Sequence, residues 1–517
     1  MIQKPGSVRF LNLYKFQIIT TIFEVVETLE GRVVQLKIFK KTSWSISSDV
    51  MILPVEKSRT ACRSVRSVLK RYFGDRFEKR ISLKLLKGSK VLEFTPDKGP
   101  QQVLIIPFDR EIEDWEVPGL YAQAVQEALK QETKTLTIAV PPDRDEAVWI
   151  SGGVRGAVLA SSFPSGMKSE KDEGLREIRL GISKKDLEAH AEEAFRIAQG
   201  TAFARELVHE PPNILDNDRF VRVAQELAWD AKLDVKVFRQ AELEKMGANL
   251  ILAVNSGGAK EPALVHLSYK PEGAKLKVTL VGKGITYDAG GIHLKPRGYL
   301  EDMKGDMAGA AAVLGAIKVA AQLRLPVEVH AIAAIADNMV DSKSMKPGSV
   351  YKALNNKTVE VYDTDAEGRL VLADALVYAE QLNPDVIVDL ATLTGSCVVA
   401  LGEDVAGLFT PDDRLARLFE RAGIKSGERV WRLPLEKTIR KKLQSPVADL
   451  RNIGGRWGGA IQGALFLKEF VDTKRWVHLD IAGPGLKEEQ SPLSPKGGTG
   501  FGVALIIYFL KELLKNR

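Results

Sequence analysis

The segment Asp363-Thr364-Asp365-Ala366-Glu367-Gly368-Arg369-Leu370 constrains this chain more than any other. It sets three carboxylates and an arginine between a strand-like run, residues 358–361, and a helix-like run, residues 369–382. A second dense segment lies upstream, with Lys283, Asp288, His293 and Lys295, then Met303, Asp306 and Met307. Together they supply hard oxygen ligands and spare cations, the equipment of a site for two divalent metals. Taken alone, the Asp-x-Glu-x-Arg loop also serves as a helix N-terminus with surface ion pairs. A second acidic loop, again at a strand end, weakens that alternative. Spacing alone does not bring the two loops together in space.

The length of 517 residues exceeds one ordinary domain, so two or three are expected. Apolar residues at 45% and charged residues at 27% fit a globular protein rather than a disordered one. No apolar run reaches the length of a membrane span, and residues 1–21 lack a clear signal-peptide core. Two cysteines, Cys62 and Cys397, give neither a disulfide framework nor zinc-finger spacing, which points to a reducing cytoplasm. Residues 1–90 carry 19 Lys/Arg against 7 Asp/Glu, while the rest of the chain is net acidic. Such a basic stretch is either a nucleic-acid footprint or a solvated surface, with pairing to acidic partner subunits a variant of the latter. It contains no nucleic-acid-binding motif of recognised spacing, which favours the surface.

Strands are expected at residues 33–39, 49–54, 102–107 and 135–140, with helices at 64–72 and 120–130. Residues 165–174 read as a linker or surface loop, and residues 184–208 as a helix stopped by Glu210-Pro211-Pro212. This divides the chain into an α/β domain over 1–180 and a larger α/β domain over 181–517, opened by the connector helix at 184–208. In the larger domain, strands at 277–281, 327–336, 358–361, 385–390 and 476–481 are expected with helices at 308–323, 369–382 and 503–515. Both acidic loops follow strands, and ligands gather at the carboxyl ends of strands in such sheets.

Residues 205–510 resemble the catalytic domain of the leucyl aminopeptidase family. The family signature Asn-Thr-Asp-Ala-Glu-Gly-Arg-Leu matches residues 363–370 at every position but the first, and the segments Gly282-Lys283-Gly284, 303–307, 430–434 and 478–483 also fit. The resemblance implies a two-domain α/β subunit with a mixed central sheet in the catalytic domain. It implies two divalent ions, Mn or Zn with Mg also admitted, held by Lys283, Asp288, Asp306, Asp365 and Glu367. Asp288 and Glu367 would bridge the ions, and Lys283 would ligate as the neutral amine. Lys295 would stabilise the oxyanion, and Arg369 would hold a bicarbonate that shuttles a proton. Peptides are the implied substrates, and a homohexamer the implied assembly. Met303, Asp363, Thr392, Gly395, Ala482 and Gly485 would line the substrate pocket for a Leu- or Met-sized first residue, with Gly485 leaving room for something larger.

The chain departs from the family at Asp363, usually Asn, and at Ala289 and His293, both usually Ser. Gly305 stands where the family has Tyr, a change expected to loosen its loop. In an extended segment His293 would share a face with Lys295, where it either perturbs that lysine or is merely tolerated. The glycine-rich residues 497–502 lack a P-loop lysine and read as a helix entry. A DNA-binding regulator on the same scaffold, a catalytically silent scaffold and a two-metal phosphatase are the alternatives to a metallo-aminopeptidase.

Overall fold

The computed structural model describes residues 19–23, 34–73, 86–87, 91–96, 99–164, 168–169, 174–182 and 184–516. Nearly half of the basic first ninety residues and most of the expected linker at 165–174 therefore lie outside the described residues. Two large sheets organise the chain. The first has seven strands, and its core strands Val50–Glu56, Gln102–Phe108 and Thr135–Ile138 are the apolar runs expected from sequence. Glu177–Gly181 pairs in parallel with both Gln35–Phe39 and Thr135–Ile138, which places it inside this sheet.

The helix Glu146–Ser161 was not legible in the sequence because Gly152, Gly153 and Gly156 depress its propensity. The glycines answer a packing demand: a Cβ at Gly156 would sit 2.3 Å from the carbonyl oxygen of Pro118, in the neighbouring helix Val117–Leu129. The long helix Asp186–His209 then leads from the first sheet to the second.

The second sheet has eight strands, in the order Val430–Arg432, Ala406–Phe409, Trp476–Asp480, Val386–Ala391, Lys277–Asp288, Glu328–Asn338, Ala263–Tyr269, Asp234–Phe238. Its four central strands are parallel to one another, and antiparallel pairings flank them, so the sheet is mixed as expected. Being covered on both faces, the central strands are almost continuously apolar. The Ala-rich helix Ala308–Gln322 lies close against the central strand, because a Cβ at Gly282 would fall 2.5 Å from the Cα of Ala310. The carboxyl ends of the four parallel strands present Asp288, Asn338, Thr392 and Asp480 along one rim.

Candidate metal centre and active site

The two acidic loops meet on that rim. Asp288 ends the central strand, Asp306 follows the short turn Met303–Gly305, and Glu367 caps the helix Gly368–Gln381. Carboxylate oxygens of Asp288, Asp365 and Glu367 all lie within 4.8 Å of one another. Lys283, from the middle of the central strand, places Nζ 2.7 Å from both carboxylate oxygens of Asp306 and 2.9 Å from Glu367. Lys295 reaches Asp288 at 2.8 Å and Asp365 at 2.6 Å. All five residues expected to hold metal, and Lys295, thus converge on one place.

Four carboxylates face two ammonium groups here, an excess of negative charge in a largely buried site. Burial and the neighbouring carboxylates raise the pKa of Asp365 to about 7, despite Lys295. Burial alone would lower the pKa of Lys283, but Asp306, Glu367 and Asp288 reverse this and raise it. Burial would raise Glu367, yet Lys283 and Lys295 hold it below its ordinary value. Glu367 Oε2 is buried with no hydrogen-bond partner among the described residues. An orphan carboxylate oxygen within an uncompensated anionic cluster fits divalent cations, which supply the missing charge and ligation.

Arg369 is buried two residues past Glu367. Its Nη1 donates to the backbone oxygen of Asn452 at 2.6 Å, and its Nε is buried without a partner among the described residues. That free donor fits a small oxyanion. At Gly368, the first residue of the helix that carries Arg369, an added Cβ would lie 2.3 Å from Cε of Lys283.

Several positioning residues were not singled out from sequence. Asn338 donates to Asp288 Oδ1 at 2.8 Å and to the carbonyl of Thr364 at 3.1 Å, tying the two acidic loops together. Thr364 Oγ1 donates to the carbonyl of Gly290 and accepts from the amide of His293. Asn452 Oδ1 accepts from the amides of Tyr362 and Asp363, and its Nδ2 donates to the carbonyls of Asp363 and Ala366. Asp480 accepts from the amides of Leu393 and Thr394 and from Thr394 Oγ1, so it shapes the loop after the strand Val386–Ala391. Only their places at strand ends, for Asn338 and Asp480, could have flagged them.

The expected pocket residues divide. Thr392 is directed at the metal-type ligands, its Oγ1 donating to Asp306 at 2.8 Å and its carbonyl accepting from Lys283 at 3.0 Å. Gly395 is open, since a Cβ there meets nothing within 4 Å. At Gly485 an added Cβ would lie 2.7 Å from the carbonyl oxygen of Ile481 and 3.5 Å from Cγ2 of Thr392. Met303 opens the turn that carries Asp306, and the amide of Ala482 donates to Asp480 Oδ1. Gly305 is buried against Leu486, whose Cδ2 would be 2.4 Å from an added Cβ, so this loop is tight rather than loosened.

Two departures from the family pattern meet each other. His293 Nδ1 lies 2.9 Å from Asp363 Oδ1, and Asp363 also accepts from the amide of Asp365. The segment is not extended: Gly290 and Gly291, with φ of 90° and 64°, turn the chain, and His293 pairs with Asp363. At residues 497–502 the chain enters the helix Val503–Lys515 through Gly502 in the left-handed region, the helix entry expected.

Comparison with known proteins agrees with this geometry. The model of the cytosol aminopeptidase family catalytic domain matches residues 202–507. A probable cytosol aminopeptidase of Nostoc punctiforme is 44% identical over 393 residues, covering 75% of this chain and 79% of that protein. One from Geobacter sp. is 48% identical over 325 residues, 63% of this chain and 66% of its own. The bottromycin maturation enzyme BotP, solved in complex with Mn, superposes with a TM-score of 0.80 at 34% identity, covering 90% of this chain and 99% of BotP. A point mutant of tomato leucine aminopeptidase gives a TM-score of 0.81 at 30% identity, covering 92% of this chain and 96% of its own.

Proposed function

This chain belongs to the cytosol aminopeptidase family, and from that premise we propose that it removes the N-terminal residue of peptides at a two-metal centre. Membership makes it a metal-dependent aminopeptidase, a hydrolase of peptide bonds. The convergence of Asp288, Asp306, Asp365 and Glu367 with Lys283 and Lys295 is the observation that supports the finer reading. Lys283, Asp288, Asp306, Asp365 and Glu367 would hold the metals, which supply Lewis acidity and an acidified water. Lys283 is held charged by its carboxylate neighbours, and divalent charge would displace its proton so that it can ligate.

Lys295 would stabilise the oxyanion, a contribution of about 2.7–4 kcal/mol for a preorganised donor. Arg369 would hold bicarbonate through its unengaged Nε, and the bicarbonate would carry the proton to the departing amine. Gly395, Met303, Thr392 and Ala482 suit a Leu- or Met-sized first side chain. We extend the proposal to Mn or Zn as the preferred ions and to a homohexameric assembly, which the family likeness supports. Among the described residues no helix is long and apolar enough to cross a membrane.

The test is hydrolysis of leucyl-p-nitroanilide after chelation and again after adding Mn²⁺ or Zn²⁺. Metal-restored release of the chromophore is expected, with Glu367→Gln inactive and Arg369→Ala impaired but less so. Full activity of Glu367→Gln rejects the site. An Arg369→Ala enzyme as dead as Glu367→Gln rejects the shuttle.

A further inference from the structure

A cavity of about 720 Å³ is lined by none of the metal-type ligands. It opens between the connector helix Asp186–His209, the helix Asn217–Ala231 and the far end of the Ala-rich helix Ala308–Gln322. Its size is that of a small-molecule site, and much of its wall is apolar, from Phe195, Phe203, Val223, Leu227 and Trp229. Trp229 is 86% exposed, unusual for its type in a monomer surface.

Two polar groups in the wall lack what they need. Lys318 is only 9% exposed and lies over the ring of Phe203 at 4.7 Å, with no hydrogen-bond acceptor among the described residues. Burial lowers its pKa, while Glu206 and Asp230, which also line the cavity, act to keep it charged. Gln322 Oε1 is buried with no donor among the described residues. Lys318 and Gln322 are four residues apart on one helix, hence neighbours on one face. The cation Arg219 is already engaged with Glu226 and Glu210. The mechanism uses none of these groups.

An ammonium lacking an acceptor calls for a carboxylate. An amide oxygen lacking a donor, close to acidic side chains, calls for an amine. The apolar wall calls for an apolar side chain between them. We infer that this cavity is a second binding site, taking a free apolar α-amino acid with its carboxylate on Lys318 and its ammonium toward Gln322 Oε1. Such an amino acid is the product of the proposed reaction, so the site would report product level to the helix whose other end follows Asp306. The product role rests on the aminopeptidase reading. The binding does not.

Equilibrium dialysis of the metal-loaded enzyme against radiolabelled leucine tests this. Two leucines per subunit are expected in the parent protein, one at the catalytic centre and one in the cavity. Lys318→Met should weaken the cavity site at least about tenfold while leaving the other, and leucyl-p-nitroanilide hydrolysis without added leucine, unchanged. Gln322→Leu, which keeps the packing at the cavity wall, should act in the same direction. One leucine in the parent that Lys318→Met abolishes supports the cavity and removes product binding from the catalytic centre. Equal binding by parent and both variants, or no binding by any, overturns the inference.

Discussion

Asn452 shows how much of this active site depends on a residue that contacts no proposed metal ligand side chain. It is fully buried, its side chain clamps the acidic loop by its backbone, and its carbonyl receives Arg369. Truncation to alanine leaves the amides of Tyr362 and Asp363 unpaired and lets the loop drift. Small displacements of reacting groups cost up to about a hundredfold in rate. We expect Asn452→Ala to lower kcat by roughly 10–100-fold with KM changed far less, and with metal content by elemental analysis near that of the parent protein. Parent-like turnover would remove Asn452 from the machinery. Gly368 acts directly on a proposed ligand, because Lys283 fills the space of its missing side chain. Gly368→Ala should destabilise the fold by about 1–3 kcal/mol in urea unfolding and weaken metal binding, since Lys283 must move. Unchanged metal affinity would show that Lys283 does not need its present position.

At the scale of elements, the strands Ala263–Tyr269 and Glu328–Asn338 enclose a buried polar chain. Tyr378 hydroxyl lies 2.9 Å from His266 Nδ1, His266 Nε2 lies 2.8 Å from His330 Nδ1, and His330 Nε2 lies 2.8 Å from Glu328. One proton between each pair satisfies the chain with both imidazoles neutral, so a further proton breaks it. Burial lowers the pKa of His266 to about 3, His330, Lys236 and Lys270 adding to this against Asp234. Burial also lowers His330, against Glu328. The folded form therefore binds fewer protons than the unfolded one below the ordinary histidine value of about 6.5. Stability from this pair is complete above that pH and is lost as pH falls, by up to about 1.4 kcal/mol per unit for each histidine. The loss for His266 continues toward about pH 3. Calorimetry at pH 7.5 and 5.5 should show a larger drop in Tm for the parent than for His266→Gln, and equal drops would refute the assignment.

The same two strands show what the sequence could and could not disclose. The apolar run of Glu328–Asn338 was legible, and Ala263–Tyr269 was not among the expected strands, although a strand buried on both faces writes its burial into consecutive residues. The acidic loops were legible because ligands cluster in short segments. The histidine chain, Asn338, Asn452 and the buried Asp389–His478 pair were not, since each depends on partners 26 to 112 residues away. No local pattern encodes such a pairing. His293 failed for the opposite reason: two left-handed glycines replaced the extended geometry on which its expected facing rested.

For the whole molecule, the exposed surface bears on assembly. Single exposed apolar side chains are ordinary on a folded protein. Ile424 and Trp431, however, are 64% and 65% exposed and share one groove with Val405 and Val430. We expect subunits to meet at this groove. The face sits at the sheet edge formed by Val430–Arg432, whose outer side is unpaired among the described residues. An exposed edge strand with an aromatic beside it is a surface that another chain can cover. If subunits cover it, sedimentation should find a species of about six times the 56.9 kDa of one chain. Trp431→Asp should shift that species toward smaller ones, because the new carboxylate would have to be buried unpaired at the contact. The substituted residue projects from an edge and its side chain is mostly in solvent, so the subunit itself should keep its far-ultraviolet circular dichroism. A parent protein that sediments as a single chain at micromolar concentration would reject the hexamer. A hexamer unaffected by Trp431→Asp would move the contact to another face.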